Sequence, residues 1–376
     1  MTVEIHGFCD ERFASLKDAF VGNFEAGREL GASLALTYQG RTVVDLWGGW
    51  ADPEKTRPWQ EDTICPVAST TKVMSTLVGL LLVDRGLIEL DAPVARYWPE
   101  FAQGGKESVT IRDAFSHQTG APGWAPPIAF ETLCDWDALT ARYAAEPHWF
   151  AGRRQVIYHN VTYGLPFSVI ARRLDGRTLP QLFREEFAER AGADFRIGLT
   201  SKSELSHVAA INPPGPPPPL PPGSLLEKLL HSIDGFQPQA WASQSAGLPA
   251  AGGFGNARSI ARLCAIVAMG GELDGVHYLS ADILEEAVRE QGYGECPYLG
   301  WARFGLGFGM NSVGFRYPSP TTVGWGGFGG SWAIMDPKAG VSLGYVPNDF
   351  SIEPEGVIDP RQGPIGKALY KLLPGV

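Results

Sequence analysis

Pro66-Val67-Ala68-Ser69-Thr70-Thr71-Lys72-Val73-Met74 sets a hydroxyl and an amine three residues apart where a helix should begin. On a helix, positions i and i+3 share a face, so Ser69 and Lys72 are expected to look into the same cavity. The run that follows, from Val73 through Leu77, Val78, Leu80, Leu81 and Leu82 to Val83, is apolar on nearly every side. That is the pattern of a helix buried within a larger body rather than lying on its surface. A buried helix holds its first turn rigidly, and that turn offers N–H groups without intrahelical partners at the positive end of the macrodipole. Both features suit a serine that bears negative charge in passing, and Ser69 reads as a nucleophile. A capping serine beside a solvated lysine is the plainer alternative at this point. S-x-x-K occurs only here in the chain.

A chain of 376 residues can bury a sizeable core, as one large domain or two intertwined ones. Hydrophobic residues make up 44% and charged residues 19%, a globular composition. The net charge of −10 opposes a phosphate backbone or an anionic membrane surface, so neither nucleic acid nor membrane is expected as a partner. Met1 to Phe8 has no basic or apolar leader pattern, and the apolar run from Val73 is too short to cross a bilayer. A cytosolic protein is expected. The five cysteines, Cys9, Cys65, Cys134, Cys264 and Cys296, are odd in number and lack C-x-x-C spacing, which signals neither a disulfide framework nor a zinc site.

Along the chain, Asp10 can cap a helix carrying Phe13, Leu16, Phe20 and Phe24 at helical spacing. Ser33 to Tyr38 and Thr42 to Trp47 flank Gln39-Gly40-Arg41 as a hairpin. Thr110 caps a helix from Ile111 to about His117, closed by Gly120. From Pro122 to Leu199 the patterns are helical with proline-rich joints and no strand alternation, as in Thr178 to Arg190 with Leu179, Leu182, Phe183 and Phe187. Residues 213–222 form a stiff Pro-rich connector. The glycines of Ala251-Gly252-Gly253-Phe254-Gly255 suggest close backbone approach before a helix that starts at Asn256. Thr321 to Trp325, Ser331 to Asp336 and Val341 to Val346 read as strands, and Ile365 to Leu373 as a closing helix. Strands at both ends with helices between predict an α/β (α+β) fold. One domain is expected from residues 1–90 and 245–376, with a mainly helical domain, 91–244, inserted into it.

An alkoxide nucleophile needs a base. No G-x-S-x-G elbow exists and no histidine lies in a recognisable motif, so Lys72 is the nearest candidate. Free lysine titrates near 10.4, and a neutral amine at pH 7 demands desolvation or a polar neighbour. Tyrosine can share the role of base. In Val156-Ile157-Tyr158-His159-Asn160-Val161-Thr162-Tyr163-Gly164, Tyr158 and Asn160 can point into one space. A phenol beside an ammonium ionises more easily, and the pair would titrate jointly. Gly324-Trp325-Gly326-Gly327-Phe328-Gly329-Gly330-Ser331 is the place to look for an oxyanion hole, because glycine lets a strand edge approach a substrate closely. Backbone N–H groups of Phe328 and Ser69 would supply two donors, each worth about 2.7–4 kcal/mol by analogy. A bulge in an edge strand is the alternative for this stretch.

The three stretches together resemble the serine β-lactamase and penicillin-binding-protein superfamily, and within it class C β-lactamases and family VIII carboxylesterases. The order matches over most of the chain, with S-x-x-K at Ser69 and Lys72, Y-x-N at Tyr158 and Asn160, and a glycine-rich strand at Trp325-Gly326-Gly327. The resemblance implies an α/β domain with an antiparallel sheet flanked by helices, a helical domain, and a cleft between them. It further implies that Ser69 is acylated, that Lys72 and Tyr158 shuttle the proton, and that Asn160 orients groups in the cleft. Where penicillin-recognising enzymes have K-T-G this chain has Trp325-Gly326-Gly327, similar to the W-G-G of family VIII esterases. An indole cannot replace the lysine charge that meets a substrate carboxylate, so a neutral ester is the better substrate. Trp325, Gly326 and Gly327, with Trp124 and Trp332, are candidate substrate-binding residues. The expectation is a serine carboxylesterase for short uncharged acyl esters, with no metal or organic cofactor and a small-molecule partner. A β-lactamase or D-Ala-D-Ala-type peptidase, an acyltransferase and a non-catalytic binding relative are the alternatives.

Overall fold

The computed structural model describes residues 3–215, 219–234, 246–297, 299–351 and 359–372, so part of the Pro-rich connector, 216–218, lies outside the described residues. Asp10 opens a short 3-10 turn, Glu11–Phe13, that continues into α1, Ala14–Glu25. The helix buries Phe13, Leu16, Phe20 and Phe24. The Asp10 side chain caps nothing, contrary to expectation. The predicted hairpin is β2, Gly31–Tyr38, and β3, Arg41–Gly49. Tyr38 pairs with Arg41, leaving Gln39 and Gly40 at φ 50° and 75° in a two-residue turn whose twist suits the strands.

The remaining strands of this sheet come from the far end of the chain. They are β4, Gly292–Cys296; β5, Gly300–Phe304; β6, Gly309–Met310; β7, Val323–Gly326; β8, Trp332–Asp336; and β9, Val341–Pro347. Preceding β2 is β1, Ile5–Cys9. Their spatial order is β1-β3-β2-β9-β8-β7-β6-β5-β4, antiparallel at every step. Pairing β2 with β9 is what joins the two ends of the chain. Glycines and short length hid β4 to β6 from the sequence pattern, and β1 is an edge strand with a largely exposed surface.

Side chains alternate across the sheet, so each strand contributes to two cores. Trp332 and Ile334 of β8, with Leu34, Leu36, Leu343 and Tyr345, meet α1 and the closing helix α4, Gln362–Leu372, on one face. Ala333 and Met335 of the same strand, with Ala35, Val323 and Trp325, meet the larger core on the other. Lying in that larger core are α2, Thr71–Asp84, and α3, Ala257–Ala268. Every residue of α2 from Thr71 to Leu82 is buried. The Asn256 side chain caps α3 by accepting from the Ser259 N–H.

The middle of the chain carries helices Ile111–Phe115, Trp136–Ala145, Leu165–Leu174 and Leu179–Phe183, the last running into a π turn at Arg184–Ala188. Thr110 and Thr178 each close a reciprocal capping box with the residue three positions on. One expectation is corrected here. Phe195–Ile197, read as helical ground, is a strand that pairs with Gly253–Gly255, which pairs in turn with Cys65–Ala68. This three-stranded sheet ties the helical segment to the residues that lead into α2.

Candidate active site

Ser69 stands between the strand Cys65–Ala68 and α2. Ala68 is turned to a left-handed φ of 44°, a conformation that costs an L-residue about 1–2 kcal/mol. Hydrogen bonds hold it there: Thr71 Oγ1 donates to the Ala68 carbonyl at 2.5 Å and accepts from the Gly253 N–H at 2.8 Å. A Cβ on Gly253 would collide with that threonine, which is the close approach the glycine run foretold. The sharp turn thus delivers Ser69, 6% exposed, at the head of a buried helix.

Lys72 is not a solvated surface lysine. It is fully buried, and its Nζ lies 3.1 Å from Ser69 Oγ, 2.8 Å from the Asn160 carbonyl and 3.0 Å from the Ala250 carbonyl. Burial holds its pKa well below the ordinary lysine value, because no carboxylate compensates the lost hydration of an ammonium. Carbonyl oxygens can only accept, so Nζ donates to those of Asn160 and Ala250, and its third polar contact is Ser69 Oγ.

Tyr158 reaches the same oxygen from the other side, its hydroxyl donating to Ser69 Oγ at 2.6 Å. Lys72 Nζ also sits 4.8 Å from the phenol ring centroid. The segment around Tyr158 is irregular backbone fixed by what it touches. The Tyr158 N–H donates to Cys296 Sγ at 3.2 Å, the Ile157 N–H to the His117 carbonyl at 3.0 Å, and the His159 N–H to His117 Nδ1 at 3.1 Å. His117 is itself at φ 61°. Its ring is stacked between Tyr163 and Trp325, with centroids 4.8 and 5.1 Å away. Burial pushes His117 well below the usual imidazole range and His159 down to about 4, so both are neutral near pH 7, and neither bonds Ser69. Motif and spacing gave no sign of His117, His159, Cys296 or the Ala250 carbonyl. A left-handed histidine and a backbone carbonyl leave no trace in residue type.

The glycine-rich turn after β7 lies against the entrance of α2. Ser331 Oγ donates to the Val67 carbonyl at 2.7 Å and lies 2.9 Å from Thr70 Oγ1. Any Cβ on Gly327 would overlap the Val67 carbonyl. Among the described residues, neither the Ser69 N–H nor the Phe328 N–H donates to a protein acceptor.

The tryptophans part company. Trp325 is buried on the inner face of β7, 5.7 Å from the Tyr158 ring centroid and packed on Phe304 and Phe315. It backs the phenol rather than presenting an open wall. Trp332, expected to contact substrate, is corrected: it points to the opposite face of the sheet and packs with α1 and α4, because one residue along a strand reverses the side chain. Trp124 is buried, and among the described residues its Nε1 has no hydrogen-bond partner. It lines a cavity of about 370 Å³ whose other described walls are Ala125, Pro127, Gly223, Ser224, Glu227, Lys228 and His231. Gly326 is exposed at the end of β7, and Asn160 contributes a backbone carbonyl rather than its amide to the lysine.

Known proteins share this arrangement of sheet and helices. The esterase/beta-lactamase LipL of Mycobacterium tuberculosis is 34% identical over 364 residues, which is 92% of this chain and 83% of that protein. A penicillin-binding protein homologue from Caulobacter crescentus and a family VIII carboxylesterase each superpose with a TM-score of 0.89 at 36% identity. Both comparisons cover 98% of this chain and 100% of the other. Together with a match of residues 16–363 to the family described as Beta-lactamase, these likenesses establish that the chain belongs to the beta-lactamase family.

Proposed function

We propose that the protein is a serine carboxylesterase that forms an acyl-enzyme at Ser69. The observation that carries this reading is one oxygen with two proton partners: Ser69 Oγ is 2.6 Å from the Tyr158 hydroxyl and 3.1 Å from Lys72 Nζ. A relative named as an esterase and a structural neighbour titled as a family VIII carboxylesterase support it. Ser69 Oγ attacks the ester carbonyl carbon while its proton passes to the Lys72–Tyr158 pair. The carbonyl oxygen takes up negative charge beside the N–H groups of Ser69 and Phe328. Collapse breaks the bond to the alkoxy group, which takes the proton and leaves as the alcohol. Water then attacks the acyl carbon and gives its proton to the pair. As the acyl bond to Ser69 breaks, that proton returns to Ser69 and the carboxylic acid departs.

A neutral ester is favoured because Trp325 stands where a lysine would meet a carboxylate, buried among aromatic rings. The second reading is β-lactam hydrolysis, which the compound name of LipL favours. Both are tested with p-nitrophenyl acetate and butyrate beside a chromogenic cephalosporin, repeated with Ser69→Ala. Faster ester turnover that vanishes in the variant supports the esterase, and a trapped acyl mass on Ser69 supports the intermediate. Faster cephalosporin turnover would reverse the choice of substrate. Ester turnover undiminished in Ser69→Ala would remove Ser69 from the mechanism.

A further inference from the structure

We propose that Arg361 and Gln362 are positioning residues that clamp the glycine turn, so that the Phe328 N–H is held toward the oxygen Ser69 creates. The proposal rests on the reading of Phe328 as an oxyanion donor. Gly326-Gly327-Phe328-Gly329-Gly330 contains four glycines in five residues. Glycine reaches both halves of backbone space at little cost, so steric preference contributes little to this turn. It is closed by the Gly330 N–H on the Gly327 carbonyl at 3.0 Å and the Gly327 N–H on the Ser331 carbonyl at 2.8 Å. Gly329 and Gly330 stand at φ 92° and 104°. The Phe328 N–H belongs to the Gly327 peptide, whose carbonyl accepts from the Gly330 N–H, so turning the peptide between Gly329 and Gly330 reaches Phe328 through that hydrogen bond.

Two further bonds reach the turn from the other end of the chain. Arg361 Nη2 donates to the Gly329 carbonyl at 2.9 Å, and Gln362 Nε2 donates to the Gly330 carbonyl at 3.0 Å. Successive side chains at the start of α4 therefore hold successive carbonyls of the turn. Arg361 is 2% exposed, and every part of its fork is engaged. Nε and Nη2 meet the two oxygens of Asp359 at 2.9 and 2.6 Å, Nη2 also meets Ser351 Oγ at 2.8 Å, and Nη1 meets the Asp349 carbonyl at 2.5 Å. Glu29 adds a buried carboxylate 3.8 Å from Nη1. Lysine cannot reproduce this planar fork. A Cβ on Gly330 would occupy the space of the guanidinium, so the turn and the arginine fit only each other. On the outer side the Phe328 ring meets Phe350 edge-on at 6.0 Å. Burying so many polar groups to hold two carbonyls is the mark of a constraint on geometry.

The test compares an ester with its thionoester. Sulfur is larger and a poorer hydrogen-bond acceptor than oxygen, so a well-aimed oxyanion hole favours the ester, while a general loss of structure slows both alike. Arg361→Lys, Gln362→Ala and wild type are assayed with p-nitrophenyl butyrate and its thiono analogue, with melting temperature recorded for each. In Arg361→Lys, kcat for the ester is expected to fall about tenfold with KM little changed, and the ester-to-thionoester ratio to narrow by a similar factor. If Arg361→Lys does not fold, the half-buried Gln362→Ala carries the test, with a narrowing of about threefold. Folded variants with an unchanged ratio would overturn the clamp while leaving Ser69 chemistry intact. Ester turnover surviving Ser69→Ala would instead overturn the underlying reading, and the clamp with it.

Discussion

Replacing Lys72 with methionine turns the buried amine into a measurable slope. In the unfolded chain Lys72 holds its proton up to about pH 10.4, whereas burial in the fold drives its pKa well below that value. Between the folded and unfolded pKa values the unfolded state binds one more proton, so stability rises with pH. The rise is 2.303RT for one proton, about 1.4 kcal/mol per pH unit. Methionine has no such proton. Wild type should therefore gain about 1.4 kcal/mol relative to Lys72→Met between pH 8.5 and 9.5. The gain per pH unit should shrink as pH falls, to half its full value at the folded-state pKa, and the curves should run parallel below it. The variant also leaves the Asn160 and Ala250 carbonyls without a donor, at about 1–3 kcal/mol each. That cost is the same at every pH and displaces the curve without tilting it. Urea unfolding of both proteins at half-unit steps from pH 6 to 9.5 reads the slope directly. Curves parallel over the whole range would mean that Lys72 keeps its proton in the fold. An ammonium has no lone pair, and the assignment of Lys72 as acceptor of the Ser69 proton would fail.

Tyr158→Phe keeps the ring that packs on Trp325 and removes the hydroxyl 2.6 Å from Ser69. Its kcat for p-nitrophenyl butyrate should fall about 10²–10⁴-fold with little change in melting temperature, and a fall under threefold would contradict the role. Trp325→Lys would bury an ammonium among His117, Phe304 and Phe315. It should lose at least about 3 kcal/mol of stability, and a wild-type melting curve with new cephalosporin turnover would show that the site tolerates a K-T-G charge. Trp332→Phe acts on the far face of the sheet. It should cost about 1–2 kcal/mol of stability and leave KM for a series of esters unaltered, whereas an ester-dependent KM would put Trp332 back in the cleft.

Local pattern carried the helices and the central strands. The apolar run after Lys72 is a buried helix, Thr110 and Asn256 are caps, and the hairpin turns at Gln39-Gly40. Each rests on forces acting within a few residues, which is why sequence alone determined them. The order S-x-x-K, Y-x-N, W-G-G was likewise legible, and with it the family. What the tertiary structure decided depends on distance through space rather than along the chain. Lys72 loses its hydration only because Asn160 and Ala250, 88 and 178 residues away, close over it. Trp325 and Trp332, both aromatic and both in strands, are separated by the sheet's two faces, which no residue type encodes. The Gly329 carbonyl is met by Arg361, 32 residues on, a contact that neither local stretch encodes.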